Sequence, residues 1–357
     1  MGLNKLRVAI IGCGRIGTLT KPERKAMMPS GTVPINHAEA IISNTSLQLV
    51  ALCDVDKANL DRASKAYEVE KCFNDYKALI LDVKPDIISI ATRTLGRCDI
   101  IKFAVENGVK GIHIEKPIST NLAECREVIE VAKKHQVYLT YGTARRFMDI
   151  YIRAKEILAS GEIGELVQIS IELGYTLLLW NHPHSVDMLI FFAECMDIEY
   201  VQSSCVFNST PSTNTLIIDD DPFVESALIK FKNGVTGLIT SRAGGNVTLC
   251  GTEGNLIIAA DGSWLELQKR GDKSPYFLEN KRLNVEALMS GTQRVFFDLA
   301  NAIQYETALS ITPEEIELSQ KILLSIAYSS LKDGRRIDIS KTPEKFTVTG
   351  KFGDKYA

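Results

Sequence analysis

The sequence predicts an α/β protein: a parallel sheet covered on both faces, followed by an α/β unit with an open, mostly antiparallel sheet. Three observations carry that expectation. Apolar strands alternate with amphipathic helices over the first 146 residues. The first strand runs directly into Gly12-Cys13-Gly14-Arg15-Ile16-Gly17. After about Phe147 the pattern changes to short strands punctuated by glycines. Alternating β and α segments argue for a parallel sheet between helical layers, and short strands joined by tight turns for an antiparallel one. With 357 residues the chain is long enough for two cores. The expected division is 1–146, 147–341 and a polar tail at 342–357.

In the first part, strands are expected at 7–11, 47–53, 86–91, 111–115 and 136–141. Helices fall between them, at about 35–44, 56–67, 75–82, 97–107 and 121–135. In such sheets ligands gather beyond the carboxyl ends of the strands. Those ends are Gly12, Asp54, Thr92, Glu115 and Gly142. In the second part a helix at 148–160 precedes a strand at 166–173 and a helix at about 184–194. Strand-like runs follow at 199–207, 223–232, 235–242, 246–250, 255–259 and 264–268. Helices at about 292–306 and 313–332 close it. Thr312 before Pro313, with Glu315 three residues on, reads as a capping box with proline at the first helical position.

The glycine loop is a G-x-G-x-x-G turn between a strand and a helix, which brings backbone N–H groups and a helix dipole to a pyrophosphate. A Rossmann dinucleotide site also needs an acid about 20 residues further on to bond the ribose. Asp54 lies 37 residues after Gly17. Residues 18–34 carry three prolines and no helical period and read as an insertion; without those 17 residues the spacing is 20. Asp54 is followed by Val55-Asp56, with no arginine to take a 2′-phosphate, so the pattern favours NAD over NADP. The expected cofactor contacts are Gly12, Cys13, Gly14, Arg15, Ile16, Gly17, Asp54 and Val55. Further along the strand ends they are Thr92, Arg93, Glu115, Lys116 and Arg146.

Composition excludes several classes. The net charge is −3, with 45% apolar and 24% charged residues, so bulk charge suggests no nucleic-acid partner. No run approaches a membrane span and no secretory start is legible. The eight cysteines include no C-x-x-C pair and read as small hydrophobes of a reduced, cytoplasmic protein without a structural metal.

Two clusters could carry chemistry. Lys116, in Glu115-Lys116-Pro117 at a strand end, would be desolvated and its pKa lowered, suiting it to bond a substrate hydroxyl or help take its proton. The second is Trp180-Asn181-His182-Pro183-His184-Ser185-Val186-Asp187. His184 and Asp187 are spaced i, i+3, and an acid beside a histidine can orient its ring as a general base requires. Catalytic roles are therefore expected for Lys116, His184 and Asp187. Arg146 is expected to face the same crevice and hold a cofactor or substrate oxygen through its donor fork, and Arg93 and Arg97 to lie on the nicotinamide side. Tyr175 and Trp180 could stack on a sugar ring; Asn181 and His182 complete the expected substrate contacts.

With these residues assembled, the chain resembles the glucose–fructose oxidoreductase / inositol dehydrogenase / rhizopine-catabolism family. The resemblance rests on GCGRIG, CDVD, ATRT, EKP, YGTARRF, the H-x-x-D of His184 to Asp187, GTEGNLII and the closing DGRRIDI. It implies a Rossmann domain, a second domain with an open, largely antiparallel sheet, and NAD-dependent oxidation or reduction of a secondary hydroxyl in a sugar, inositol or nucleotide sugar. It makes Lys116 the active-site lysine and His184 the acid/base, implies a cis bond before Pro117, and implies dimers or tetramers formed through the second sheet. The chain departs from the family at Trp180, where an aspartate is usual, at Arg93 in place of a proline, and in the 18–34 insertion. Two other readings stay open: a lyase or glycosidase with transient internal redox, and a non-catalytic NAD-binding regulator.

Overall fold

The computed structural model describes residues 4–208, 212, 215–271 and 274–350. Six strands build the first sheet: β1 (Leu6–Ile11), β2 (Leu47–Cys53), β3 (Cys72–Phe73), β4 (Ile87–Ile90), β5 (Gly111–Ile114) and β6 (Tyr138–Tyr141). All pairs are parallel, in the order β3-β2-β1-β4-β5-β6. Every residue of β4 and β5 is buried, as a sheet covered on both faces requires. The helices are α1 (Pro22–Ala26), α2 (His37–Ile42), α3 (Lys57–Tyr67), α4 (Tyr76–Val83), α5 (Arg97–Glu106) and α6 (Leu122–Lys134). Two of these elements were not expected: β3, whose two residues carry no readable period, and the five-residue α1, which lies inside residues 18–34. The order reverses between β1 and β4, so the crevice opens beyond Gly12 and Ala91.

The insertion interrupts a helix. The His37 amide donates to Ile16 O at 2.9 Å and that of Ala38 to Gly17 O at 3.0 Å. With residues 18–34 set aside, these are the i→i−4 bonds of one continuous helix. The insertion folds back onto the rest of the chain: Ser290 Oγ donates to Pro34 O, and Tyr67 Oη to Thr18 O.

The second part contains α7 (Asp149–Ala159), β7 (Leu166–Glu172), β8 (Thr176–Leu177), α8 (Leu178–Ala193), β9 (Ile198–Val206), β10 (Ile217–Ile218), β11 (Phe223–Phe231) and β12 (Thr236–Thr240). It continues with β13 (Asn246–Gly251), β14 (Gly254–Ala259), β15 (Trp264–Gly271), β16 (Ser274–Leu283), α9 (Gly291–Tyr305), α10 (Pro313–Leu331) and β17 (Thr347–Val348). The large sheet runs β16-β15-β14-β13-β7-β12-β11, with β8 and β9 also on β11. All of its pairs are antiparallel except β12 with β7. Ala227, Ile229 and Ile239 are buried, whereas the alternating Leu228, Leu238 and Thr240 are half-buried, which leaves the second face open.

α10 begins with the expected capping box: Glu315 N donates to Thr312 Oγ1 at 3.2 Å, and Thr312 N to Glu315 Oε2 at 2.8 Å. Helix α8 corrects an expectation. It starts at Leu178, not near His184, and contains Pro183. Its first turn is capped by the Asp221 carboxylate, which accepts from Leu179 N at 2.7 Å and Trp180 N at 3.1 Å. A cap borrowed from a distant residue gives no local signal. The tail is likewise built in: Phe346 and Val348 are fully buried, and β17 pairs with β10. Residues 351–357 of the expected tail lie outside the described residues.

Candidate active site

The three loop glycines have different reasons to be glycine. Gly12 has φ +100°, and a Cβ there would lie 2.7 Å from Ala91 C. A Cβ at Gly17 would lie 2.0 Å from Gly12 O. At Gly14 a Cβ would meet nothing within 4 Å. Two glycines thus close the turn and the middle one leaves it open for a ligand to approach. Asp54 reaches the loop as the spacing implied: Cys13 N donates to its Oδ2 at 2.6 Å and Asp56 N to its Oδ1 at 2.8 Å. Val55 beside it is 92% exposed. An open turn of backbone amides with a carboxylate at the next strand end fits a dinucleotide. Arg15, on the loop, places its guanidinium 5.2 Å from the centroid of the Trp180 indole.

The Lys116–Pro117 bond is cis. The Glu115–Pro117 turn is held by Arg97, buried in α5, which donates to Glu115 O, Pro117 O and Thr92 O. This corrects the expectation for Arg97: its fork is spent on backbone carbonyls under the site rather than facing a ligand. Arg93 is exposed and Thr92 half-buried at the rim. The Glu115 carboxylate turns inward, with Oε1 3.2 Å from His37 Nε2, while His37 Nδ1 lies 2.7 Å from Ser89 Oγ.

Lys116 points toward α8. Its Nζ donates to Trp180 O and sits 4.9 Å from the indole centroid. Burial pulls its pKa down to about 8; Glu115 opposes this, while Arg145, Arg97 and Arg15 add to it. His184 is half-buried in the next turn of the helix. Burial, Arg145, Lys116 and His182 together hold its pKa well below the ordinary imidazole value, so it is uncharged at neutral pH. Its Nδ1 is buried with no hydrogen-bond partner. Arg145 stays near by through a two-pronged bond to Asp261, at 2.7 and 3.1 Å.

Several expected contacts do not join this group. Asp187 does not orient His184: its carboxylate is 2.8 Å from Arg146, and both side chains are 2% exposed. Arg146 therefore does not face the crevice; it bridges Asp187 and Glu315 inside the second core. His182 is fully buried, its ring nitrogens 3.1 Å from Thr176 Oγ1 and 3.0 Å from Ser185 Oγ. Buried positions on a helix favour internal partners over solvent-borne ones, and the i, i+3 spacing could not reveal that Arg146 competes for Asp187. Tyr175 stacks on Phe223, with ring centroids 4.9 Å apart. Asn181 is half-buried beside Trp180. Sequence reasoning placed Arg145, with Arg146, after the last parallel strand facing the crevice, and of the two it is Arg145 that stays by the site. It missed His37, Asp221 and Asp261, of which only the run Asp219-Asp220-Asp221 is a signal visible in the chain.

Among the described residues, one set could bring metal-ligating atoms together: His37, His113 and Glu115, all within 4.8 Å of one another. Both His37 nitrogens are already engaged and His113 Nδ1 is 3.0 Å from Thr140 Oγ1, so the set works as a buried hydrogen-bond network. All eight cysteines are unpaired. Among the described residues no helix is long and apolar enough to cross a membrane.

Residues 6–143 match the family described as GFO_IDH_MocA, an oxidoreductase family with an NAD-binding Rossmann fold. Myo-inositol 2-dehydrogenase of Thermotoga maritima is 31% identical over 160 residues, covering 45% of this chain and 42% of that protein. Inositol 2-dehydrogenase of Salmonella typhimurium is 28% identical over 167 residues, covering 46% and 44%. The chain thus spans less than half the length of these curated relatives. An oxidoreductase of Agrobacterium radiobacter, solved in complex with NAD+, L-tartaric acid and magnesium, superposes with a TM-score of 0.73 at 17% identity, covering 94% of this chain and 99% of that one; the likeness is one of fold. Over residues 6–143 the chain is thus similar to the NAD-binding Rossmann domain of the GFO_IDH_MocA oxidoreductase family.

Proposed function

We propose that the protein is an NAD-dependent dehydrogenase acting on a secondary hydroxyl of a carbohydrate or polyol: a sugar, an inositol or a nucleotide sugar. The observation that carries the reading is Lys116, a half-buried amine at a strand end beside the glycine loop, bonded to Trp180 O one turn before uncharged His184 and with its pKa pulled down to about 8. When bound, NAD supplies the hydride acceptor. Its 2′-hydroxyl would meet Asp54, whose negative charge disfavours a 2′-phosphate there.

In the oxidative direction the hydroxyl proton passes to the Lys116 amine as the carbon gives up its hydride and the carbonyl forms. His184 accepts or donates a hydrogen bond at the same oxygen and orients it. This shifts the main proton-transfer role from His184 to Lys116: His184 has no carboxylate to raise its basicity, whereas Lys116 titrates near 8. The Trp180 indole offers an apolar face to the C–H side of a ring. Eight unpaired thiols support a cytoplasmic setting, and the open face bearing Leu228 and Leu238 supports self-association into a dimer or tetramer.

The test is the pH dependence of kcat/KM with NAD and an active polyol. The rate rises with pH through about 8, as Lys116 loses its proton. Lys116→Met abolishes that limb and lowers kcat by roughly 10²–10⁴. A limb below pH 7 that vanishes in His184→Asn would assign the proton transfer to His184 instead.

A further inference from the structure

Asp221 is the buried carboxylate that the proposed mechanism leaves unused. It is 2% exposed, yet among the described residues no cation forms an ion pair with it. Both of its oxygens are spent on the backbone N–H groups of Leu179 and Trp180, at 2.7 and 3.1 Å. Trp180 is also the residue whose carbonyl takes the Lys116 ammonium. One residue of α8 therefore links the buried acid to the reactive amine.

The acid is itself fixed from outside. Three residues before it, β10 ends, and it pairs with β17 of the C-terminal tail. Gly350 N donates to Asp220 O at 3.2 Å, and Thr349 Oγ1 to Asp219 Oδ1 at 3.0 Å. The tail is anchored in turn by Phe346 and Val348, both fully buried, and by Val348 N on Thr120 O at 3.1 Å. Thr120 lies four residues beyond Lys116. The tail thus ties together the two segments that carry Lys116 and Asp221.

Resting on the catalytic reading above, we infer that Asp221 is a positioning residue for Lys116: held by the C-terminal tail, it fixes the first turn of α8 so that the Trp180 carbonyl meets the amine, and it adds a negative charge behind that contact. The charged and titratable groups around Lys116 are Glu115, Arg145, Arg97, Arg15, His184 and Asp221. Glu115 raises the proton affinity of the amine against Arg145, Arg97 and Arg15, and Asp221 is the second carboxylate coupled to it, its own pKa lowered by Lys116. Burial pushes the Asp221 carboxyl up to about 6, its two backbone donors and Lys116 pulling the other way. It is therefore ionised where Lys116 titrates. Loss of its charge and loss of the carbonyl contact act in one direction: both lower the proton affinity of Lys116.

The experiment is competitive acylation of the full-length protein with acetic anhydride across pH, reading the Lys116 peptide by mass spectrometry. It needs no turnover, so it stands or falls separately from the dehydrogenase reading. In wild type the amine titrates near 8. In Asp221→Asn, with a cooperative melt retained, the midpoint moves down by about one pH unit. A folded Asp221→Asn protein whose Lys116 titrates as in wild type overturns the inference. If Asp221→Asn does not fold, Asp221→Glu and Asp221→Gln, matched in length, replace it. Lys116 titrating higher in Asp221→Glu than in Asp221→Gln supports the inference, and equal midpoints overturn it.

Discussion

Arg146→Met separates a ligand-binding arginine from a structural one. The residue follows the last parallel strand, where an arginine could hold a cofactor oxygen, but its guanidinium lies 2.8 Å from Asp187 and 2.9 Å from Glu315. Arg146 and Asp187 are each 2% exposed, so water cannot replace the lost partner. Removing one member of such a buried pair costs about 3–5 kcal/mol. For a cooperative unit of 150–250 residues each kcal/mol is worth about 2–4 °C, so the melting temperature falls by roughly 6–20 °C. Burial already raises the Asp187 pKa, and Arg146 opposes that rise. Without Arg146 the carboxyl protonates more readily, so the loss is largest at neutral pH and shrinks toward pH 5. The double variant Arg146→Met/Asp187→Leu recovers most of the melting temperature, because it leaves no orphaned charge. The assay is thermal denaturation beside NAD titration. An unchanged melt with weakened NAD or substrate binding would refute the structural assignment and restore Arg146 to the site.

Two further predictions concern the glycine loop and the insertion. Gly14→Ala leaves the melt within about 1 °C but weakens NAD binding, because its Cβ enters only the open space that a ligand would occupy; Gly17→Ala, with a Cβ 2.0 Å from Gly12 O, lowers the melting temperature markedly. Equal thermal effects of the two would contradict the division of roles. Deletion of residues 18–34 leaves a folded protein that still binds NAD, since His37 and Ala38 already bond Ile16 and Gly17 as a continuous helix; calorimetric NAD titration of the deletion protein checks this, and loss of binding with the fold intact would make the insertion part of the site.

Much of the fold was legible because it depends on period and punctuation. The buried strands read as apolar runs, the glycine loop marked the first crossover, and Thr312-Pro313-Glu315 marked a helix start to the residue. The arithmetic that removed residues 18–34 was legible too, since an interrupted helix must resume in phase. The site was legible in part. Asp54 and Lys116 sit at strand ends, where topology alone sends residues toward the crevice. The His184–Asp187 pair failed because helical spacing states which residues share a face, not which distant cation reaches them first. Asp221 and His37 went unrecognised because their partners, the amides at 179–180 and the Glu115 carboxylate, come together only in three dimensions. β3 and the tail strand were too short to show a period, and were decided by burial of Phe346 and Val348 and by pairing with a neighbour.

NADH formation by the purified protein with NAD, across a panel of inositols, aldoses, sugar acids and nucleotide sugars, tests the central claim most directly. The account predicts turnover with one class of ring hydroxyl, rising through about pH 8 and absent in Lys116→Met. Silence across the panel with NAD binding intact would contradict it, and would favour a protein that uses bound NAD for internal redox or for sensing.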